Sequence, residues 1–289
     1  MTKKSGWAEL ATGGPFDLGQ TLDSGQVFHW DPAEIGEVSG YVGCLGDTPV
    51  WLGQTGPETI AVIGVDRDRV ASYLGISRPV SELHATFPQD DPVLSEAIAY
   101  CPGLRLIRQP VWECLATFIT SSLKQVAHIR QISLKLRQRF GVAHEIAGCE
   151  VFAYPTPAAI AAAGEAALRE CGLGYRAVGM HRTALALASG EADLSMLEEL
   201  SDDAARDYLL QFHGVGEKIA NCVLLFGCGR YGAFPIDVWI DRILRERYFG
   251  PRKRKRLKPA ELQQWAEKHF GPSAGYAQQY LFHFARKTF

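Results

Sequence analysis

Near residue 92 the apolar pattern of this 289-residue chain changes period, and that change limits the folds open to it. Before it, aromatic and β-branched residues come in short runs at 26–30, 38–44, 49–53 and 59–64. Gly, Pro, Asp or Thr separates the runs at intervals suited to antiparallel strands. Residues 66–74 read as one short helix, and 77–79 and 87–92 as loops. Beyond 92 the spacing is helical. Trp112, Leu115, Phe118 and Ile119 share one face of a helix over 110–122. Helices are expected at 92–100, 126–140, 176–189, 194–200, 202–211, 216–227, 237–248, 259–270 and 273–287. Thr156-Pro157, a capping residue followed by a first-turn proline, starts an Ala-rich helix. The fold class is α+β: an antiparallel β domain over 1–98, then an all-helical body over 99–289.

Composition is that of a soluble globular chain, and no apolar stretch reaches the ~18 residues of a membrane span. The N-terminus lacks the apolar core of a signal peptide. Net charge is −2, which taken whole speaks against binding a polyanion by bulk charge. The average hides an asymmetry. Residues 1–100 hold 5 Lys/Arg against 14 Asp/Glu, a balance of −9, and the remainder holds 25 against 18, or +7. Residues 240–289 alone hold 12 against 4. Such a chain can still turn a positive face to a polyanion, although the run Arg252-Lys253-Arg254-Lys255-Arg256 is by itself equally a solvated loop.

Seven cysteines, at 44, 101, 114, 149, 171, 222 and 228, are odd in number and irregular in spacing. That fits a reduced compartment better than a disulfide framework. No Cys-x-x-Cys pair and no cysteine after 228 exist, so neither a cysteine-ligated metal nor an iron–sulfur cluster is expected near the C-terminus.

The chemistry concentrates in Phe212-His213-Gly214-Val215-Gly216-Glu217-Lys218-Ile219. A helix ends, two glycines turn the chain, and a second helix begins at once. The glycines let a phosphate approach the backbone, and the new helix offers unpaired N–H groups to an anion. Gly-Val-Gly alone is weak, because an ordinary helix–turn–helix corner uses the same residues. Lys218 raises its weight. A cation in a first turn opposes the helix dipole, which favours the neutral, nucleophilic amine able to form a Schiff base. Nineteen residues on, Asp237 follows Pro235-Ile236 in an N-cap position. It is a helix cap, and its carboxylate could also stabilise positive charge on a sugar.

Gly-Val-Gly-x-Lys followed by this aspartate resembles the helix-hairpin-helix DNA glycosylases, and within them the 8-oxoguanine DNA glycosylase/AP lyase branch. The hairpin spans about 203–227. Three further stretches carry the resemblance in the same order: Ser24-Gly25-Gln26-Val27-Phe28-His29-Trp30, Gly172-Leu173-Gly174-Tyr175-Arg176-Ala177, and Gly275-Tyr276-Ala277-Gln278 with Phe282. Four ordered signatures cover most of the chain and are specific together, whereas each residue alone would be core, turn or surface. The resemblance implies a monomeric enzyme of base excision repair that acts on double-stranded DNA. It would flip an oxidised purine out of the duplex, cut its glycosidic bond through a lysine Schiff base and nick the strand. Lys218 would be the nucleophile, with Asp237 stabilising charge and moving a proton. Gly214, Gly216 and Ile219 would bind a phosphate through backbone N–H groups. Cys222 and Phe282 would sandwich the base, Gln278 would bond its Watson–Crick edge, and the Gly25 carbonyl would accept the N7 hydrogen that 8-oxoguanine has and guanine lacks. Tyr175 would wedge into the stack and Arg176 would reach the orphaned base.

No organic cofactor is implied. The resemblance does imply a monovalent cation on the carbonyls of Leu210, Phe212 and Val215. It places the protein in the cytoplasm with the nucleoid, or in a nucleus.

The sequence departs from the family pattern at several places. Leu123-Lys124-Gln125 stands where the family carries an asparagine run, and His128 where it carries a second cytosine-reading arginine. Relaxed opposite-base specificity is the expectation. His213 replaces a proline before Gly214. Trp239 replaces a histidine after Asp237, beside the expected catalytic pair and the DNA backbone. A glycosylase for another damaged purine and a non-catalytic hairpin that clamps DNA both remain open on these residues.

Overall fold

The computed structural model describes residues 6–121, 125–249 and 257–288. The N-terminal segment contains β1 (Ala8–Ala11), α1 (Leu18–Asp23), β2 (Asp31–Ile35), β3 (Val38–Leu45), β4 (Thr48–Gly56) and β5 (Thr59–Ile63). The strands form one antiparallel sheet in the order β1-β5-β4-β3-β2. Alternation along the strands sends side chains to both faces. Val50, Leu52, Ile60 and Val62 pack with Leu18, Leu22 and Trp30 on one side, while Val42, Trp51 and Ala61 pack on the other.

The second face explains an element absent from the expectation of an all-helical body. Residues 99–288 contain a hairpin, β6 (Ala143–Ile146) and β7 (Cys149–Phe152). Its Ile146 and Val151 cover Trp51 and Val42. The two turn residues, Ala147 and Gly148, both have positive φ, 52° and 78°, as a tight two-residue hairpin turn requires.

Helices α2 (Arg67–Tyr73), α3 (Val80–His84), α4 (Pro92–Tyr100), α5 (Val111–Ser121) and α6 (Val126–Phe140) lead into the body. It continues with α7 (Pro157–Glu170), α8 (Arg176–Ser189), α9 (Asp202–Leu210), α10 (Glu217–Phe226), α11 (Val238–Ile243), α12 (Pro259–Phe270) and α13 (Ala274–Thr288). Caps define several ends: Thr156 accepts from Ala159 N, and Ser201 from Ala204 N. The Ala-rich α7 is kinked at Gly164, where φ is 78°. The expected helix over 194–200 is a short 3-10 turn at Leu194–Glu198, and α11 loosens into a π turn at Leu244–Tyr248.

The strand expected at 26–30 does not form. Gly25, at φ 82°, turns the chain out of the extended region. The segment then threads between sheet and helices, where side chains replace ladder partners. Gln26 is central to it. Its Nε2 donates to the carbonyls of Thr21 (2.9 Å) and Arg105 (2.7 Å), and its Oε1 accepts from Ile107 N (2.9 Å). Truncating Gln26 strands these buried backbone groups without water. Gln26→Ala is therefore expected to lower stability by about 2–4 kcal/mol. Urea unfolding checks this through a lower midpoint at unchanged slope.

Candidate active site

The α9–α10 corner and the start of α11 bring Lys218 and Asp237 to one cleft. Gly214 takes the left-handed conformation at φ 85°, which lets the chain reverse between the helices. Gly214 and Gly216 are exposed. The first in-helix bond of α10 is Ala220 N to the Gly216 carbonyl. The N–H groups of Glu217, Lys218 and Ile219 therefore precede the ladder and have no acceptor one turn back. Among the expected cation-holding carbonyls, that of Phe212 accepts from Val215 N at 3.1 Å.

Lys218 is half-buried on the first turn of α10. Its Nζ lies 3.4 Å from Ser121 Oγ and 5.3 Å from the centre of the Phe118 ring. Both neighbours come from α5, and neither was singled out as a site residue in the sequence. Asp237 caps α11 as expected. Its Oδ1 accepts from Trp239 N (3.0 Å) and Ile240 N (2.8 Å), so the cap occupies one oxygen. Burial pushes the Asp237 carboxyl up, while the two N–H bonds and the Lys218 charge oppose that shift. A poised proton carrier results.

Cys222, one turn after Lys218, is buried, and burial pushes its thiol up to about 12 against the pull of Lys218. It is a neutral, polarizable wall. Phe282 faces Gly25: a Cβ placed on Gly25 would stand 2.9 Å from Phe282 Cε1. Glycine is thus required twice, for its φ and for the ring. Gln278 is only 4% exposed, yet its Oε1 has no hydrogen-bond partner among the described residues. These residues enclose a pocket of about 40 Å³ beside a cleft of about 720 Å³ that also reaches Trp239. The inner pocket has room for about one water and is too small for a purine in this state.

The Gly25 carbonyl stands out by an accounting of its neighbours. Thr21 O accepts from Ser24 Oγ and Gln26, Leu22 O from Arg130, Asp23 O from Arg286, Ser24 O from Gln279, and Gln26 O from Gln109. No hydrogen bond reaches the Gly25 carbonyl among the described residues. Gly25 itself lines both the pocket and the cleft.

Of the expected DNA-contacting residues, Trp239 lines the cleft, whereas Tyr175, Arg176 and His128 line neither the cleft nor the inner pocket. Tyr175 is 63% exposed, with the Arg176 guanidinium 4.3 Å from its ring centre. His128 is exposed on α6. Leu123 and Lys124 lie outside the described residues. No group of three or more His, Cys, Asp or Glu is placed to hold a metal among the described residues. No helix among them is long and apolar enough to cross a membrane.

Comparison with known proteins places the chain in a family. Residues 10–115 match the family described as 8-oxoguanine DNA glycosylase, N-terminal domain, and residues 116–268 match HhH-GPD superfamily base excision DNA repair protein. A probable N-glycosylase/DNA lyase of Methanothermobacter thermautotrophicus is 30% identical over 219 residues, 69% of each chain. The solved structure of MBOgg1 with a low-affinity DNA ligand superposes with TM-score 0.89 at 32% identity, covering 99% of this chain and 97% of that one. The Clostridium acetobutylicum 8-oxoguanine glycosylase/lyase, solved with DNA bearing cytosine opposite 8-oxoG, gives 0.88 at 26% identity and 98% and 96% coverage.

Burial of Asp237 carries an electrostatic cost. Its folded-state pKa is raised, so its ionisation lowers stability above the carboxylate range and does nothing below it. Asparagine caps a helix as well as aspartate. Asp237→Asn is therefore expected to resist urea better than wild type at pH 7.5, with the margin vanishing toward pH 3. Strand cleavage should fall at least ~100-fold. The two family matches, which together span residues 10–268, and the 30% identical relative make this chain a member of the HhH-GPD superfamily of base excision DNA repair proteins, with an 8-oxoguanine glycosylase N-terminal domain.

Proposed function

We propose that the protein is a bifunctional DNA glycosylase and AP lyase that removes 8-oxoguanine from double-stranded DNA. The observation that carries this reading is the convergence of Lys218 and Asp237 on a pocket lined by Gly25 and Gln278, with Gln278 Oε1 buried without a hydrogen-bond partner among the described residues. An 8-oxoguanine base offers donors to Gln278 and to the Gly25 carbonyl: N1–H and the 2-amino group on the Watson–Crick edge, and N7–H on the other. Guanine lacks the last, and an unpaired buried acceptor disfavours it. Cys222 and Phe282 stack on the two faces of the base.

In the chemical step, Lys218 Nζ forms a bond to C1′ as the C1′–N9 bond breaks. The electron pair leaves with the base, which takes up a proton. Opening of the sugar and loss of the amine protons yield the imine. Removal of a C2′ proton then expels the 3′ phosphate. Asp237 stabilises the cationic sugar and carries protons between these steps. The first-turn N–H groups of α10, with Gly214 and Gly216, grip the DNA backbone. Tyr175 fills the stack and Arg176 meets the orphaned base. Segment 1–98 serves this site by supplying Gly25. Carbonyl oxygens at Leu210, Phe212 and Val215 suit a monovalent cation that would stiffen the hairpin, and no chemical step passes through it.

Borohydride trapping tests the central step. Wild type should crosslink to duplex DNA containing 8-oxoguanine, and Lys218→Gln should not. Wild type that binds the duplex but never crosslinks would leave only a hairpin clamp. A wild type that crosslinks on alkylated purine and spares 8-oxoguanine would assign another lesion.

Leu123 and His128 replace cytosine-reading residue types, so recognition of the opposite base should be relaxed. Single-turnover excision opposite C, A, G and T is expected to agree within about tenfold, since a lost bidentate base contact removes discrimination of that order. A hundredfold preference for cytosine would contradict the expectation.

A further inference from the structure

Four residues after Phe282 and eight after Gln278, Arg286 continues the same face of α13. Its Nη2 donates to the Asp23 carbonyl and lies 3.8 Å from Asp23 Oδ2. Its Cζ lies 5.8 Å from the centre of the Phe282 ring. Its Nη1 stands 3.5 Å from where a Cβ on Gly25 would be. Arg130 and Lys287 also pair with the Asp23 carboxylate, at 2.9 and 3.6 Å. Among the side chains that hold segment 21–26, Arg286 is the one whose charge also lies over the stacking ring, and it lines the 720 Å³ cleft.

We propose that Arg286 is a positioning residue for lesion recognition, coupling the Gly25 carbonyl to the Phe282 ring through one guanidinium. A planar fork can hold a carbonyl and a ring face together. A charge-assisted bond to Asp23 O fixes the turn two residues before Gly25. With the fork removed, the carbonyl and the ring no longer share a common anchor, and the base sandwiched by Phe282 is offered to the acceptor less often. The inference rests on the proposed excision of 8-oxoguanine.

The two activities of the site separate this role from general support of the fold. Cleavage at a preformed abasic site uses Lys218 and Asp237 but no base in the pocket. Arg286→Met keeps the apolar stem and loses the fork. Its single-turnover excision of 8-oxoguanine is expected to fall about tenfold or more, while abasic-site cleavage by the same preparation stays within about threefold. Arg286→Lys keeps the charge without the fork and should restore less than half of the lost rate. Equal losses in both activities would mark a merely structural residue and overturn the inference, as would full excision by Arg286→Met or full rescue by lysine. A wild type that cleaves abasic DNA but leaves 8-oxoguanine in place would overturn the recognition reading and this inference together. Normal wild-type excision matched by Arg286→Met overturns Arg286 alone.

Discussion

Buried peptide groups must find partners, and in segment 21–26 that requirement shapes the whole molecule. The segment lies where a strand cannot form, between the sheet and the helices. Its carbonyls are satisfied by side chains drawn from far along the chain: Gln109 before α5, Arg130 on α6, Gln279 and Arg286 on α13. These bonds tie the N-terminal sheet to the helical body. Among the described residues they leave the carbonyl of Gly25, a pocket-lining residue, without a bond. Unity of the fold and the proposed recognition of the lesion thus draw on the same set of hydrogen bonds. Gln26, reaching Thr21, Arg105 and Ile107, anchors the segment from within.

The charge distribution follows the same division. The acidic first hundred residues and the basic remainder nearly cancel in the whole chain. The catalytic lysine, the aspartate and the hairpin turn lie in the positive part. The hairpin offers N–H groups as well as side-chain charge, so in the proposed function DNA is gripped partly by dipoles that carry no net charge. A neutral chain can therefore bind a polyanion, with a salt dependence set by a few phosphate contacts.

Much of this was legible from residue types in order. Helices over 126–140, 176–189 and 259–270 match the expected bounds, because their apolar spacing is regular. Asp237 reads as a cap and is one. Other features depend on partners distant in sequence. The β6–β7 hairpin escaped notice because Ala147 occupies a turn position where Asn or Asp would announce it. Residues 26–30 have strand composition, and only the turn at Gly25 together with the long-range bonds of Gln26 shows why they do not pair. Gly25 reads as a turn glycine, while its contact with Phe282 requires α13 to be folded against it. Ser121 and Phe118 read as ordinary helix residues until α10 places Lys218 beside them. Arg286 carries no motif at all.

In the proposed recognition, the Gly25 carbonyl distinguishes the lesion by accepting a hydrogen from N7. The most direct measurement compares binding of the Lys218→Gln protein to duplexes carrying 8-oxoguanine and its analogue with carbon in place of N7. The two bases share the Watson–Crick edge and the 8-oxo group, and the analogue offers no N–H donor at position 7. Loss of a hydrogen bond to a buried acceptor predicts at least about tenfold weaker binding of the analogue. Equal affinity for the two would contradict the account.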